Sequence, residues 1–152
     1  MGIEIERKFL VVNGGWKQHI KSTHFIAQGY LTNVPHQSIR VRVKDEKAFV
    51  TFKFSTDSDV KRFEYEYEIP LQDGYDMLSW CEPHVIEKER HIVWFGGMEW
   101  EVDEFIGRDG LIVAEIEFDD VDQVIELPDW VGLEVTTDFT YTNNYMAFNP
   151  LK

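Results

Sequence analysis

Charged residues at every second position are the feature of this chain that could do chemistry. Acidic pairs two residues apart occur at Glu4/Glu6, Glu64/Glu66, Glu99/Glu101 and Glu115/Glu117, with Asp103 extending the third. Basic residues with similar placement are Lys8, Arg40, Arg42, Lys53, Lys88 and Arg90. Alternate side chains of a β-strand point to one face, so each pair places two like charges on the same side of a strand. Grouped carboxylates can bind hard divalent cations, and grouped cations can bind a polyanion.

Two interpretations of these charged faces compete. Each strand taken singly fits a solvated outer face, because antiparallel sheets commonly expose one face to water. The strands taken together fit it less well, since like charges 4 Å apart repel by about 4 kcal/mol at an effective dielectric of 20. If the strands instead closed into a barrel with the polar face inward, divalent cations and a polyanion could compensate those charges. The opposite face would then lie outside, covered by helices or by a second copy of the chain: Ile3, Ile5, Val41, Val43, Phe52, Tyr65, Tyr67 and Ile116.

The elements that must position these charges are mostly β-strands. Period-two alternation predicts about seven strands, within residues 3–11, 38–44, 49–54, 62–69, 85–95, 99–105 and 111–118. Helices are predicted to be few, in residues 13–21, 71–81 and 141–149. Many short antiparallel strands with few helices indicate a barrel or a sandwich, and we expect residues 1–152 to form one domain.

Composition excludes several classes of function. The net charge of −13 opposes binding to nucleic acid or to an anionic membrane. Cys81 is the single cysteine, which excludes an internal disulfide and a cysteine-rich zinc site and fits a reducing compartment. The charged N-terminus and the lack of a long apolar run predict a soluble cytoplasmic protein. The histidines show no HxxH or HxH spacing, so we expect them to be surface or packing residues, and Trp100 and Trp130 to pack in the core or at an interface.

The order of the charged motifs resembles one family. Residues 4–11, EIERKFLV, are similar to the ExExK signature of the CYTH superfamily, the triphosphate tunnel metalloenzymes. IRVRV, VTFK, RFEYEYEI, EKER, WEVDEFIG, AEIEF and EVTTDFTYTN follow in the order of its small bacterial members. The similarity extends from about residue 3 to residue 143. It implies a closed eight-stranded antiparallel β-barrel with a few flanking helices, in the mostly β (α+β) class, whose lumen binds a triphosphate and divalent metal.

The resemblance also implies roles for individual residues. Glu4, Glu6 and Glu117 match the positions of one metal site, and Glu115, Asp103, Glu64 and Glu66 match acidic positions of a second metal or of water positioning. Lys8, Arg40, Arg42, Lys53, Lys88 and Arg90 match positions that bind the phosphates, and Lys8, Asp103 and Glu115 are the residues expected to act in catalysis. The all-carboxylate donors favour Mg²⁺ or Mn²⁺ as the cofactor.

The expected function is metal-dependent hydrolysis of a triphosphate. Inorganic triphosphate is the preferred substrate, because lysine and arginine side chains bind phosphates and no motif indicates a purine pocket. One alternative is conversion of ATP to cyclic AMP, as in the class IV adenylyl cyclases of the same superfamily. A second is a non-catalytic polyphosphate-binding barrel. Apolar strand faces with too few helices to cover them predict a homodimer.

Overall fold

The computed structural model describes residues 2–149, and the predicted domain limits at residues 1 and 152 lie outside this range. Its strands are β1 (Gly2–Val11), β2 (Ile20–Tyr30), β3 (Gln37–Lys44), β4 (Lys47–Ser55), β5 (Lys61–Ile69), β6 (Val85–Phe95), β7 (Met98–Phe105), β8 (Ile112–Glu117) and β9 (Val131–Glu134). Its α-helices are α1 (Leu71–Cys81) and α2 (Asn143–Phe148), and 3₁₀ helices span Gly14–His19 and Phe139–Tyr141. Helical turns therefore form in all three predicted segments. None of the helices in residues 2–149 combines the length and the apolar character needed to cross a membrane.

The strands close into an antiparallel barrel. Their order is β5-β4-β3-β2-β6-β7-β8-β1, and β1 pairs with β5 to complete the ring. The long β1 makes this closure possible because its first residues, Gly2 to Ile5, pair with β5, whereas the residues from Phe9 to Val11 pair with the extra strand β9. The prediction of a closed eight-stranded barrel is confirmed, with β9 as a ninth strand beside it.

Two strands, β2 and β9, were not marked by alternation. In β2 the outward residues Ala27 and Gly29 are small, and α1 lies against Gly29: a Cβ atom there would stand 2.6 Å from the Cβ of Cys81. The inward residue Gln28 is polar and fully buried. The usual contrast of large apolar and exposed polar residues is therefore missing from this strand. The four-residue β9 is too short to show a period.

Of the two buried hydrophobic clusters within residues 2–149, one lies outside the barrel wall. On one side, Phe9, Trp16, Trp100, Ile116 and Trp130 form a buried cluster over the outer faces of β1, β7 and β8. Burial of each such large side chain stabilises the fold by roughly 2–3 kcal/mol. The expectation that Trp100 and Trp130 pack in the core is confirmed, and so is the assignment of the apolar faces to the outside of the barrel.

The helix α1 covers a second part of the wall. Its Gly74 lies against Val43 and Ala48, which are buried on β3 and β4. Next to this helix, the outer faces of β4 and β5 form a shallow aromatic groove, lined by Phe52, Phe54, Phe63, Tyr65 and Tyr67. Within residues 2–149 no helix lies over this groove, and Tyr67 is 57% exposed.

Candidate active site

The inside of the barrel is a charged cavity of about 790 Å³. Every residue predicted to bind metal or phosphate lines it except Asp103, which lies directly behind the lining. The charged lining residues are Glu4, Glu6, Lys8, Arg40, Arg42, Lys53, Arg62, Glu64, Glu66, Lys88, Arg90, Glu101, Glu115 and Glu117. A volume of this size holds a small anion together with its counterions.

Cross-strand register places charged residues opposite one another inside the barrel. Lys8 on β1 is paired with Glu115 on β8, and Lys53 on β4 is paired with Glu64 on β5. Because side chains alternate along each strand, these pairs repeat every second residue and stay in the lumen. The lumen is therefore built from strand backbones, which hold its side chains more rigidly than loops would.

The basic side of the lumen lies on β3 and β6. Burial, followed by repulsion from Arg40 and Arg90, lowers the pKa of Arg42 to about 9. Burial also lowers the pKa of Lys88 to about 7, although the neighbouring Asp103 opposes that shift. Three guanidinium groups and one ammonium group thus share a region where each disfavours the charge of the others. A bound polyanion would relieve this repulsion, so the region has the charge that phosphate binding requires.

Asp103 holds two of these cations in place. Its Oδ2 accepts hydrogen bonds from Lys88 Nζ at 2.7 Å and from Arg90 Nη2 at 2.9 Å, and its Oδ1 accepts one from Arg90 Nε at 2.8 Å. Burial alone would raise its pKa, but Arg90 and Lys88 lower it to about 2. Asp103 is therefore ionised and orients both cations toward the lumen. Its predicted roles in catalysis and as a second-metal ligand stay predictions.

The acidic side of the lumen is formed by carboxylates of β1 and β8. Burial, Glu115 and Glu4 raise the pKa of Glu6 to about 7, and burial with Glu4 and Glu101 raises that of Glu117 to about 6. For both groups burial is the largest cause, and repulsion from neighbouring carboxylates adds to it. The donor set consists of oxygen atoms only, which fits a hard divalent ion. Glu4, Glu6 and Glu117 therefore fit the metal site that the sequence predicts.

The lumen also contains a residue that the sequence analysis missed. The Arg62 guanidinium donates hydrogen bonds to Glu4 at 3.0 Å and to Glu6, while Lys53 Nζ lies 3.0 Å from both oxygens of Glu4. These two cations overcome the effect of burial and lower the pKa of Glu4 to about 2. Arg62 lies on the same strand face as Glu64, so its period-two spacing was the signal that could have identified it.

The remaining predicted residues make weaker contacts. Glu64 lies 3.6 Å from Lys53, and Glu66 accepts a hydrogen bond from Thr51 at 2.9 Å and lies 3.8 Å from Arg40. Glu66 thus contacts residues of β4 and β3, whereas Glu64 contacts Lys53 on β4 and also hydrogen-bonds with Glu4 on β1.

The segment before and within α2 closes over the basic side. Lys8 Nζ lies 3.7 Å from Glu115 and donates to the carbonyl of Tyr141 at 3.2 Å. Asn143 Oδ1 accepts hydrogen bonds from Lys88 Nζ at 2.9 Å and from Gln28 Nε2 at 3.1 Å. The neutral residues Gln28 and Asn143 carry no charge pattern, so nothing in the sequence connected them with the lumen.

Comparison with known proteins agrees with this geometry. The model of the CYTH domain family matches residues 2–143. An inorganic triphosphatase of Acetivibrio thermocellus is 44% identical over 154 residues, covering 100% of this chain and 97% of that protein. An inorganic triphosphatase of Nitrosomonas europaea is 33% identical over 151 residues, covering 96% of this chain and 97% of that protein.

Solved structures share the barrel. The crystal structure of an inorganic triphosphatase superimposes with a TM-score of 0.70 at 32% identity, covering 97% of this chain and 95% of that one. A protein from Pyrococcus horikoshii superimposes with a TM-score of 0.63 at 19% identity, covering 78% of this chain and 80% of that one, and this likeness concerns the fold alone.

Proposed function

Because the chain belongs to the CYTH domain family, we propose that it is a divalent-metal-dependent triphosphatase that hydrolyses inorganic triphosphate to pyrophosphate and orthophosphate inside its barrel. The observation that carries the proposal is the separation of charge within one cavity: cations on β3 and β6 face carboxylates on β1 and β8. Phosphoryl transfer depends mainly on positioning and on neutralising charge, and a lumen of this kind supplies both.

The basic residues bind the phosphates. Lys8, Arg40, Arg42, Lys53, Lys88 and Arg90 reach the lumen from four strands, β1, β3, β4 and β6. We place the extended triphosphate along these groups because guanidinium and ammonium donors match phosphate oxygens in charge and geometry. Inorganic triphosphate can make all of its contacts within the lumen, because it has no base or sugar that residues outside the lumen would have to recognise.

The carboxylates hold the metal. Glu4, Glu6 and Glu117 are the residues that would bind one Mg²⁺ or Mn²⁺ ion, and Glu115, Glu64 and Glu66 are nearby acidic groups for a second. A bound divalent ion neutralises charge on the phosphoryl oxygens and favours attack by water. Arg62 and Lys53 already compensate Glu4, so an ion that binds there has to compete with them or displace them.

Three residues are assigned catalytic roles. Lys8 lies between the basic and acidic sides and donates toward the reacting phosphoryl group. Glu115, whose pKa is held well below its usual range by Lys8 and Arg90 despite burial, stays ionised and orients the attacking water. Asp103 acts by positioning, because it fixes Lys88 and Arg90 against the substrate.

The test measures orthophosphate release from inorganic triphosphate and from ATP, with EDTA, with Mg²⁺ and with Mn²⁺. We expect metal-dependent release from triphosphate, weaker release from ATP, and loss of activity in Glu4→Gln/Glu6→Gln. The control is Glu87→Gln, since Glu87 is an exposed glutamate outside the lumen. Cyclic AMP formed from ATP would establish the cyclase alternative, and tight triphosphate binding without product would establish the binding-barrel alternative.

We also propose that the protein is a homodimer that pairs through its aromatic groove. The exposed aromatic side chains of β4 and β5 form an apolar patch with no covering element within residues 2–149. Such patches mark interfaces, and two-fold homodimers are the commonest soluble oligomers. Light scattering after size-exclusion chromatography should give twice the chain mass, and Phe63→Lys/Tyr67→Lys should give the monomer. A monomeric wild-type protein would contradict the proposal.

A further inference from the structure

A cluster of metal-ligating side chains lies outside the lumen, on the outer face of β6 and β7. Glu89 and His91 on β6 and Glu104 on β7 each offer one ligand atom, and these atoms all lie within 4.8 Å of one another. On β6 they alternate with Lys88 and Arg90, which point inward, so the barrel wall separates the cluster from the tunnel.

The imidazole of His91 is oriented toward the two carboxylates. Its Nδ1 lies 2.8 Å from the hydroxyl of Thr23 on β2, and its Nε2 lies 2.7 Å from Glu104 Oε1. The ring also packs on Trp16, with centroids 4.8 Å apart, and His91 is only 6% exposed. A hydrogen bond to one ring nitrogen, with the other directed at acidic groups, is the arrangement that fixes a histidine ligand at metal sites.

The two glutamates lack a permanent cationic partner. Glu89 and Glu104 are directly opposite each other in the β6–β7 register, and like charges in that position destabilise a sheet. In the part of the chain that the structure describes, the ion pairs of these two carboxylates involve His91 and no lysine or arginine. A divalent cation bound by the cluster would therefore relieve the repulsion between the two carboxylates.

We propose that Glu89, His91 and Glu104 bind a borderline divalent metal ion such as Zn²⁺, at a site distinct from the tunnel. His91 Nε2 and one oxygen from each glutamate are the protein ligands, and water completes a tetrahedral shell. Ligand distances of about 2.0–2.2 Å separate neighbouring ligand atoms by about 3.4 Å, so Glu104 has to withdraw from His91 by less than about 1 Å. The imidazole nitrogen selects a softer ion than the all-oxygen tunnel does.

The site joins two strands that carry the phosphate-binding residues. The pair Glu89 and Glu104 is adjacent in register to the pair Arg90 and Asp103, which faces the lumen. A metal ion across the outer pair therefore fixes β6 against β7 directly behind the ion pairs that orient Lys88 and Arg90. The ligands come from neighbouring strands, so no histidine spacing motif within one segment marks them.

The experiment measures Zn²⁺ binding by isothermal titration calorimetry in the Glu4→Gln/Glu6→Gln protein, which lacks two of the three ligands proposed for the first tunnel metal ion. Zn²⁺ bound by the remaining tunnel carboxylates is the part of the signal that Glu89→Gln leaves unchanged. We expect one Zn²⁺ per chain in this background. Glu89→Gln and Glu104→Gln should each weaken binding by about tenfold or more. The matched control is Glu87→Gln, which changes an exposed glutamate two residues away on the same strand and face and should change affinity less than about twofold.

A second measurement reports on His91 itself. Zn²⁺ should shift the imidazole signals of His91 in the NMR spectrum of the wild-type protein, and in Glu89→Gln the same shift should require about tenfold more Zn²⁺ or more. Absence of Zn²⁺ binding in the Glu4→Gln/Glu6→Gln protein, or equal affinity in Glu89→Gln, Glu104→Gln and Glu87→Gln, would overturn the proposal. Because these measurements do not depend on phosphate release, their outcome is independent of the triphosphatase assignment.

Discussion

Replacing Glu6 by glutamine should stabilise the metal-free fold while it abolishes activity. Burial, Glu115 and Glu4 raise the pKa of Glu6 from 4.5 to about 7. The ionised group therefore destabilises the folded protein by about 3 kcal/mol above pH 7. The folded state binds the extra proton between these two pKa values, so the penalty falls as the pH is lowered and is less than about 1 kcal/mol at pH 5. Glutamine removes the charge and keeps an oxygen that accepts from Arg62.

The assay is urea unfolding in EDTA of wild type, Glu6→Gln and the Glu87→Gln control, at pH 8 and at pH 5. We expect Glu6→Gln to exceed wild type by up to about 3 kcal/mol at pH 8 and by less than about 1 kcal/mol at pH 5. Its triphosphatase rate with Mg²⁺ should fall by at least about 100-fold, because a metal ligand is lost. A variant that is less stable than wild type at pH 8, or one that keeps full activity, would show that Glu6 is not a repelled metal ligand.

Further predictions concern the basic side of the lumen and the packing of α1. Because burial lowers the pKa of Lys88 to about 7, its charge is present below that pH and lost above it. Inhibition by pyrophosphate should therefore weaken from pH 6 to pH 8 by about threefold more in wild type than in Lys88→Met. The same pH dependence of inhibition in both proteins would refute this. Asn143→Ala removes the acceptor of Lys88 and Gln28, so amide hydrogen exchange in α2 should accelerate and KM should rise; unchanged exchange would mean that this contact does not anchor the helix. Gly74→Ala should lower the free energy of unfolding by about 1–3 kcal/mol in chemical denaturation, although alanine has the better helix propensity, because the new Cβ would lie 2.4 Å from the Cβ of Ala48. The control Gln72→Ala, at an exposed position of the same helix, should change it by less than about 0.5 kcal/mol.

The charged faces were predictable because strand periodicity is local. Side chains at Glu4, Glu6 and Lys8 must share a face in any extended backbone, whatever their neighbours are. Repulsion between like charges on such faces then indicates that something compensates them, and the resemblance of the motif order to CYTH proteins indicates how. This reasoning brought the predicted metal-binding and phosphate-binding residues to one lumen, with Asp103 just behind its surface.

The strand β2 shows where local reasoning fails. Its small outward residues and buried inward glutamine reflect the packing of α1 on one side and the lumen on the other. Neither environment is visible in the segment itself. Periodicity detects a strand only when its two faces differ in polarity. In β2 the outward face combines the exposed Phe25 with Gly29 beneath α1, and the inward face carries the buried polar Gln28.

The sequence by itself therefore determined which side chains share a face and that the polar faces need counterions. The tertiary structure alone decided which charges meet. Closure of β1 onto β5 brings Arg62 between Glu4 and Glu6, and register sets Asp103 beneath Lys88 and Arg90. The same pairing of β6 with β7 creates the His91 cluster on the outside. The physical reason is that periodicity is a property of consecutive residues, whereas register and barrel closure depend on hydrogen bonds between segments far apart in the chain.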